Sequence, residues 1–153
     1  MVQDLELQKQ EFLTLCRENI HREGLENLLT WLQRSDFFSA PASTKYHGAY
    51  AGGLCEHSLD VFKMAQKCIA GFELTDINLE NITVTTLFHD ICKVNLYRAD
   101  TKKQKVDGQW IDVPCYIRDE KFPFGGHGSK SVFLVQQFMR LRVDEAAAIN
   151  CHM

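Results

Sequence analysis

Apolar residues recur three and four apart over much of the chain, the spacing that lays one face of a helix against a core. Leu5, Phe12, Leu13, Cys16 and Ile20 follow it, Gly24 interrupts it, and Leu25, Leu28, Leu29 and Leu32 resume it. The first 34 residues therefore read as helical. Ser35-Asp36 and Ser39-Ala40-Pro41-Ala42-Ser43 break the pattern, and Gly48, Gly52 and Gly53 precede a second helical run from Leu54 to about Ala70. Asn78 has the side chain of an N-cap. A helix from there to about Val94 would present Ile82, Leu87, Phe88, Ile91 and Val94 as apolar positions. Past Thr101 the character changes. Asp107-Gly108 sits between strand-like residues, Val106 before it and Trp110-Ile111 after it, a hairpin signal; Cys115-Tyr116-Ile117 adds further strand-like positions. Helix resumes after Gly125-Gly126-His127-Gly128, with Ser129 as expected N-cap and Val132, Val135, Phe138 and Met139 as its stripe. Asp144 is expected to cap a last helix that continues to Met153 with no stop signal. The pattern predicts an all-α fold, a helical bundle with a small β-hairpin insertion at about residues 103–118. It reads as one domain over 1–153, with an N-terminal helical segment at 1–40 and a core at 46–153.

Length and composition narrow the class. The chain has 153 residues, 45% hydrophobic and 24% charged, ordinary for a globular domain with its own core. No apolar run reaches the roughly 18–20 residues of a membrane span, and no secretory leader is visible, so no membrane partner and a cytoplasmic location are expected. The net charge of -3 does not advertise nucleic acid as a partner. Six cysteines lack any Cys-x-x-Cys pair and read as reduced thiols rather than disulfides or a zinc ribbon.

The histidines carry the candidate chemistry. His57, His89 and His152 fall on expected helices, and His127 falls at a helix start, so several elements can aim one imidazole each into a common cleft. His89-Asp90 interrupts an otherwise apolar run. Burying a carboxylate is costly unless it is paired or binds a cation. Lys93 lies one turn after this pair. Imidazole, carboxylate and ammonium together suit a metal with a phosphate beside it; the plain alternative is a buried Asp90–Lys93 ion pair. His47 is a candidate cleft residue just before the first motif. Lys130, in the glycine-rich turn, is a candidate phosphate contact, although that turn fails the P-loop pattern. Arg98, Lys102, Lys103 and Lys105 read as a solvated loop, or as contacts to a phosphate or nucleic acid.

These segments resemble a known family. Gly52-Gly53-Leu54-Cys55-Glu56-His57, then Leu87-Phe88-His89-Asp90-Ile91-Cys92-Lys93, are similar to the motifs of the HD-domain metal-dependent phosphohydrolases. Gly126-His127-Gly128-Ser129 and Ile149-Asn150-Cys151-His152-Met153 resemble the later motifs of its multi-histidine branch. The resemblance implies an HD-type helical fold around one or two divalent ions (Mn, Fe, Co, Ni, Zn or Mg). His57, His89 and Asp90 would bind the first metal. His127 and His152 would serve a second metal or the phosphate, and Lys93 would contact the phosphate. The implied reaction is hydrolysis of a phosphoester by metal-activated water, on a nucleotide, another phosphorylated small molecule or a nucleic-acid end. The alternatives are a non-catalytic metal- or nucleotide-binding module, or a dinuclear iron oxygenase of the same fold. The family pattern continues to a further Asp after the last His, so the chain is expected to be incomplete at its C-terminus. Neither substrate nor oligomeric state is legible in the sequence.

Overall fold

A computed structural model describes residues 2–152; the expected final turn at Met153 lies outside them. Among the described residues there are six α-helices: α1 Val2–Asn19, α2 Leu25–Arg34, α3 Gly53–Gly71, α4 Leu79–Phe88, α5 His127–Gln136 and α6 Val143–Asn150. Strands β1 Tyr97–Val106 and β2 Gln109–Arg118 form one antiparallel ribbon between α4 and α5. The protein is thus mostly helical, as the apolar spacing predicts. Helix α4 lies at the centre, packed on α1, α3 and α6. Its Val84, Leu87 and Phe88 are buried against Phe12 and Cys16 of α1 and Leu54, Leu59 and Phe62 of α3. Phe12 meets the rings of Phe37 and Phe88 at 4.9 and 6.1 Å between centroids. Asn78 does cap α4, its side chain accepting from the Asn81 N–H at 3.1 Å.

Several boundaries differ from the expected ones. Helix α4 stops at Phe88 rather than near Val94, and Ile91–Lys93 form a single 3₁₀ turn. The break is at Asp90, whose φ of -104° and ψ of 15° lie in the bridge region that site residues often occupy. The ribbon starts at Tyr97, not about 103, so the basic run from Arg98 to Lys105 is strand rather than loop. Most of β1 is exposed on both faces, and without a buried face there is no period-2 apolar pattern to read. The turn itself is as expected: Asp107 and Gly108 both have positive φ, 50° and 85°, the two-residue turn whose twist matches the strands.

Helix α5 begins at His127, two residues before the expected Ser129 cap, because Gly126 O already accepts from the Lys130 N–H at 2.9 Å. Ser129 instead donates its hydroxyl to Asn150 Oδ1 at 2.8 Å. Helix α6 starts behind Arg142 rather than Asp144. The Glu145 carboxylate reaches back to the Arg142 N–H at 2.8 Å, while Asp144 accepts from Asn81 Nδ2 at 2.8 Å. It ends at Asn150, so His152 lies beyond the helix and not on it.

Gly128 fixes the distance between α5 and α6. A Cβ there would run into the backbone of Asn150. Gly128→Ala must therefore force the two helices apart and is expected to cost about 1–3 kcal/mol, as overpacking does. Thermal unfolding checks this; an unchanged midpoint would refute it.

Candidate metal centre

Three elements deliver the polar cluster. His57 comes from the second turn of α3, His89 from the C-terminal end of α4, and Asp90 from the bend after it. Adjacent helical positions diverge by about 100°, so within a helix His89 and Asp90 can only flank an ion placed between them. The bend at Asp90 lets them converge. His57 Nε2 and His89 Nε2 lie 3.2 Å apart. Asp90 Oδ2 is 3.3 Å from the first and 3.4 Å from the second. His152, from the residues after α6, places Nε2 3.4 Å from Asp90 Oδ1. Lys93 Nζ sits 2.6 Å from Asp90 Oδ2.

Backbone carbonyls fix two of the imidazoles. His89 Nδ1 donates to Thr86 O at 2.8 Å, and His152 Nδ1 donates to Ile149 O at 2.6 Å. Both carbonyls belong to the last turns of helices, where no further turn uses them. With Nδ1 protonated, a neutral imidazole presents a bare lone pair at Nε2. Those bare nitrogens face another imidazole and a carboxylate, acceptor against acceptor. Asp90 Oδ1 and His152 Nε2 are buried without a hydrogen-bond partner. Such an arrangement is suited to a cation placed among the acceptors. Ligand atoms about 2.1 Å from one ion lie about 3.0–3.4 Å from each other, which is the spacing seen here. His57, His89 and Asp90 thus form a donor set able to hold a metal ion.

The electrostatics of the cluster centre on Asp90. Burial alone would push the Asp90 carboxyl up; contacts with His152, His57 and His89 outweigh it and hold the group far below the usual carboxylate range. Asp90 also holds His152 above its ordinary value, against the opposing effect of burial. Asp90 is therefore an anion, and its Lys93 partner is only partly exposed. The Asp90–Lys93 ion pair anticipated from the sequence is present, but three histidine nitrogens surround it.

The cluster floors a cleft of about 450 Å³, walled by Val61, Thr85 and Thr86. His47 stands exposed at its rim, its ring 4.8 Å from that of His57. His127 and Lys130 do not line this cleft. His127 Nδ1 lies 3.4 Å from Cys92 Sγ. Burial, then Arg118 and Lys93, keep its imidazole below its ordinary pKa. Lys130 is buried and held by Glu120 at 2.6 Å. The carbonyls of Thr86 and Ile149 were not anticipated. The signal for both was a histidine three residues after a helical carbonyl at a helix end.

The family model described as HD domain matches residues 54–153. The matched region includes His57, His89, Asp90, Lys93, His127 and His152. No curated protein and no solved structure matches the chain.

Proposed function

Because the chain belongs to the HD domain family, whose members are typically metal-dependent phosphohydrolases, we propose that it hydrolyses a phosphoester of a small phosphorylated molecule such as a nucleotide. The observation that carries this reading is the convergence of His57, His89 and Asp90 in an open cleft, with Lys93 on the same carboxylate oxygen. A divalent ion there would supply Lewis acidity and lower the pKa of a water molecule enough to make it a nucleophile near neutral pH. His57, His89 and Asp90 would hold that ion, with His152 as a fourth donor. Asp90 brings one negative charge and Lys93 one positive. A divalent ion would leave the cluster net positive, and an anionic substrate offsets that charge. Lys93 Nζ would take a phosphoryl oxygen, a charge-assisted contact. The carbonyls of Thr86 and Ile149 keep Nε2 of their histidines directed inward, so the donors need no reorganisation when a ligand arrives.

The test is release of nitrophenolate from p-nitrophenyl and bis-p-nitrophenyl phosphate by chain loaded with Mn, Fe, Co or Zn, followed by a nucleotide panel with phosphate detection. Turnover is expected, and Asp90→Asn should lose at least about 100-fold of it. Stoichiometric metal with no release from any phosphoester would overturn the proposal.

A further inference from the structure

A second cleft, of about 470 Å³, opens between the loop of residues 44–49 and the base of the ribbon. Thr44 and Lys45 line it from the loop; Asp100 and Lys102 line it from β1, and Tyr116 from β2. Its charge is unbalanced. Neither Lys45 nor Lys102 makes an ion pair among the described residues. Its one acidic group, Asp100, already accepts from Arg98 at 3.3 Å and from the Thr101 N–H at 2.8 Å. Two ammonium groups thus border a concave space whose one carboxylate is already engaged by Arg98 and the Thr101 N–H. Tyr116, partly buried, offers an aromatic wall beside them.

The second cleft adjoins the first. His47 lines the metal-side cleft, and Lys45, two residues earlier, lines this one. Two residues of chain span at most about 7 Å. The loop between them is held in place. Ser43 donates its hydroxyl to His47 O and accepts from the Tyr46 N–H, both at 2.9 Å, and Ala42 N–H donates to Gly48 O at 2.8 Å. The loop is therefore a fixed partition with imidazole on one side and ammonium on the other.

We infer that this second cleft is an anion subsite, in which Lys45 and Lys102 hold a second phosphate of a ligand whose first phosphate lies at Lys93 and the metal cluster. This rests on the phosphohydrolase reading for the first phosphate only. The subsite selects ligands with two or more phosphate groups over monophosphates. The experiment is calorimetric titration of the full chain, metal-free so that the probe is not consumed by chelation, with inorganic phosphate and with tripolyphosphate. Wild type should bind tripolyphosphate at least tenfold more tightly than phosphate. The Lys45→Ala/Lys102→Ala variant should lose about tenfold for tripolyphosphate and nothing for phosphate. A control, Lys67→Ala/Lys121→Ala, removes two exposed lysines elsewhere and should bind as wild type. Equal affinity in wild type and the Lys45/Lys102 variant would overturn the subsite, and so would an equal loss in the control. If the loaded chain hydrolyses no phosphoester yet the Lys45/Lys102 loss is seen, the subsite stands and only the phosphohydrolase reading falls.

Discussion

Asp90→Asn is expected to lower divalent-metal affinity by on the order of 100-fold or more while leaving the helical body folded. The substitution keeps the side-chain shape and removes the charge around which the cluster is organised. Asp90 Oδ2 lies within 3.3 Å of His57, 3.4 Å of His89 and 2.6 Å of Lys93. With a neutral amide there, a divalent ion keeps the imidazole donors but loses the only anionic one, and the Lys93 ammonium beside it is left unbalanced. Breaking a buried pair usually costs stability, but Lys93 borders the cleft and can turn toward solvent, so the loss in unfolding temperature should be small. The contrast is Lys93→Met. It removes the cation that competes for the same oxygen and should retain or raise metal affinity. Elemental analysis after dialysis, with titration calorimetry, reads both. Equal stoichiometry and affinity in wild type and Asp90→Asn would remove Asp90 from the metal site.

Arg22→Met is expected to destabilise the protein by about 3–5 kcal/mol, the usual cost of leaving one partner of a buried ion pair alone. Glu145 is fully buried, and its carboxylate takes two bonds from the Arg22 guanidinium, at 2.7 and 2.5 Å. Arg22 also meets Glu80 at 3.1 Å, tying the α1–α2 connection to the starts of α4 and α6. These partners hold the guanidinium above even its ordinary value, Glu145 foremost. At roughly 2–4 °C per kcal/mol for a chain of this size, the midpoint should fall by about 10 °C or more. Arg22→Met/Glu145→Leu removes the buried carboxylate and leaves Glu80 to Arg142 at 3.8 Å, so it should recover part of that loss despite losing the bond from Glu145 to the Arg142 N–H. If the double variant melts no higher than the single one, the cost lies in lost packing rather than in an unpaired carboxylate.

Local order was legible where the signal is local. Gly24 and Asn78 mark helix boundaries, and Asp107-Gly108 marks the turn, because each supplies a backbone conformation or cap that neighbouring residues cannot. The apolar spacing located α1, α2 and α3 because each has a buried stripe. The end of α4 was not legible. Ile91 and Val94 continue the apolar rhythm past Phe88, and no Gly or Pro between them and Phe88 announces the bend at Asp90. The ion pairs were hidden for a different reason. Arg22 and Glu145 are 123 residues apart, and nothing in either neighbourhood says that Glu145 is buried. Of the candidate site residues, the fold gathers His57, His89, Asp90, Lys93 and His152, with His47 at the rim. It sets His127 against Cys92 and Lys130 against Glu120, outside the cleft. Spacing along the sequence could say that these side chains start their helix together, but not which neighbours they would meet.

The ribbon has a thermodynamic consequence. Neither strand packs along a helix, and apart from its base beside residues 44–49 its hydrogen bonds are mainly those between β1 and β2. A two-stranded hairpin of this kind is marginally stable in water. Its opening exposes little apolar surface that is not already exposed, so its local free energy is low and nearly independent of the helical core. The chain is therefore expected to open as two cooperative units rather than one. A single melting midpoint is expected to report the helical body and its histidine–aspartate cluster, while the ribbon, together with the lysine it brings to the second cleft, exchanges its amide protons on a faster clock.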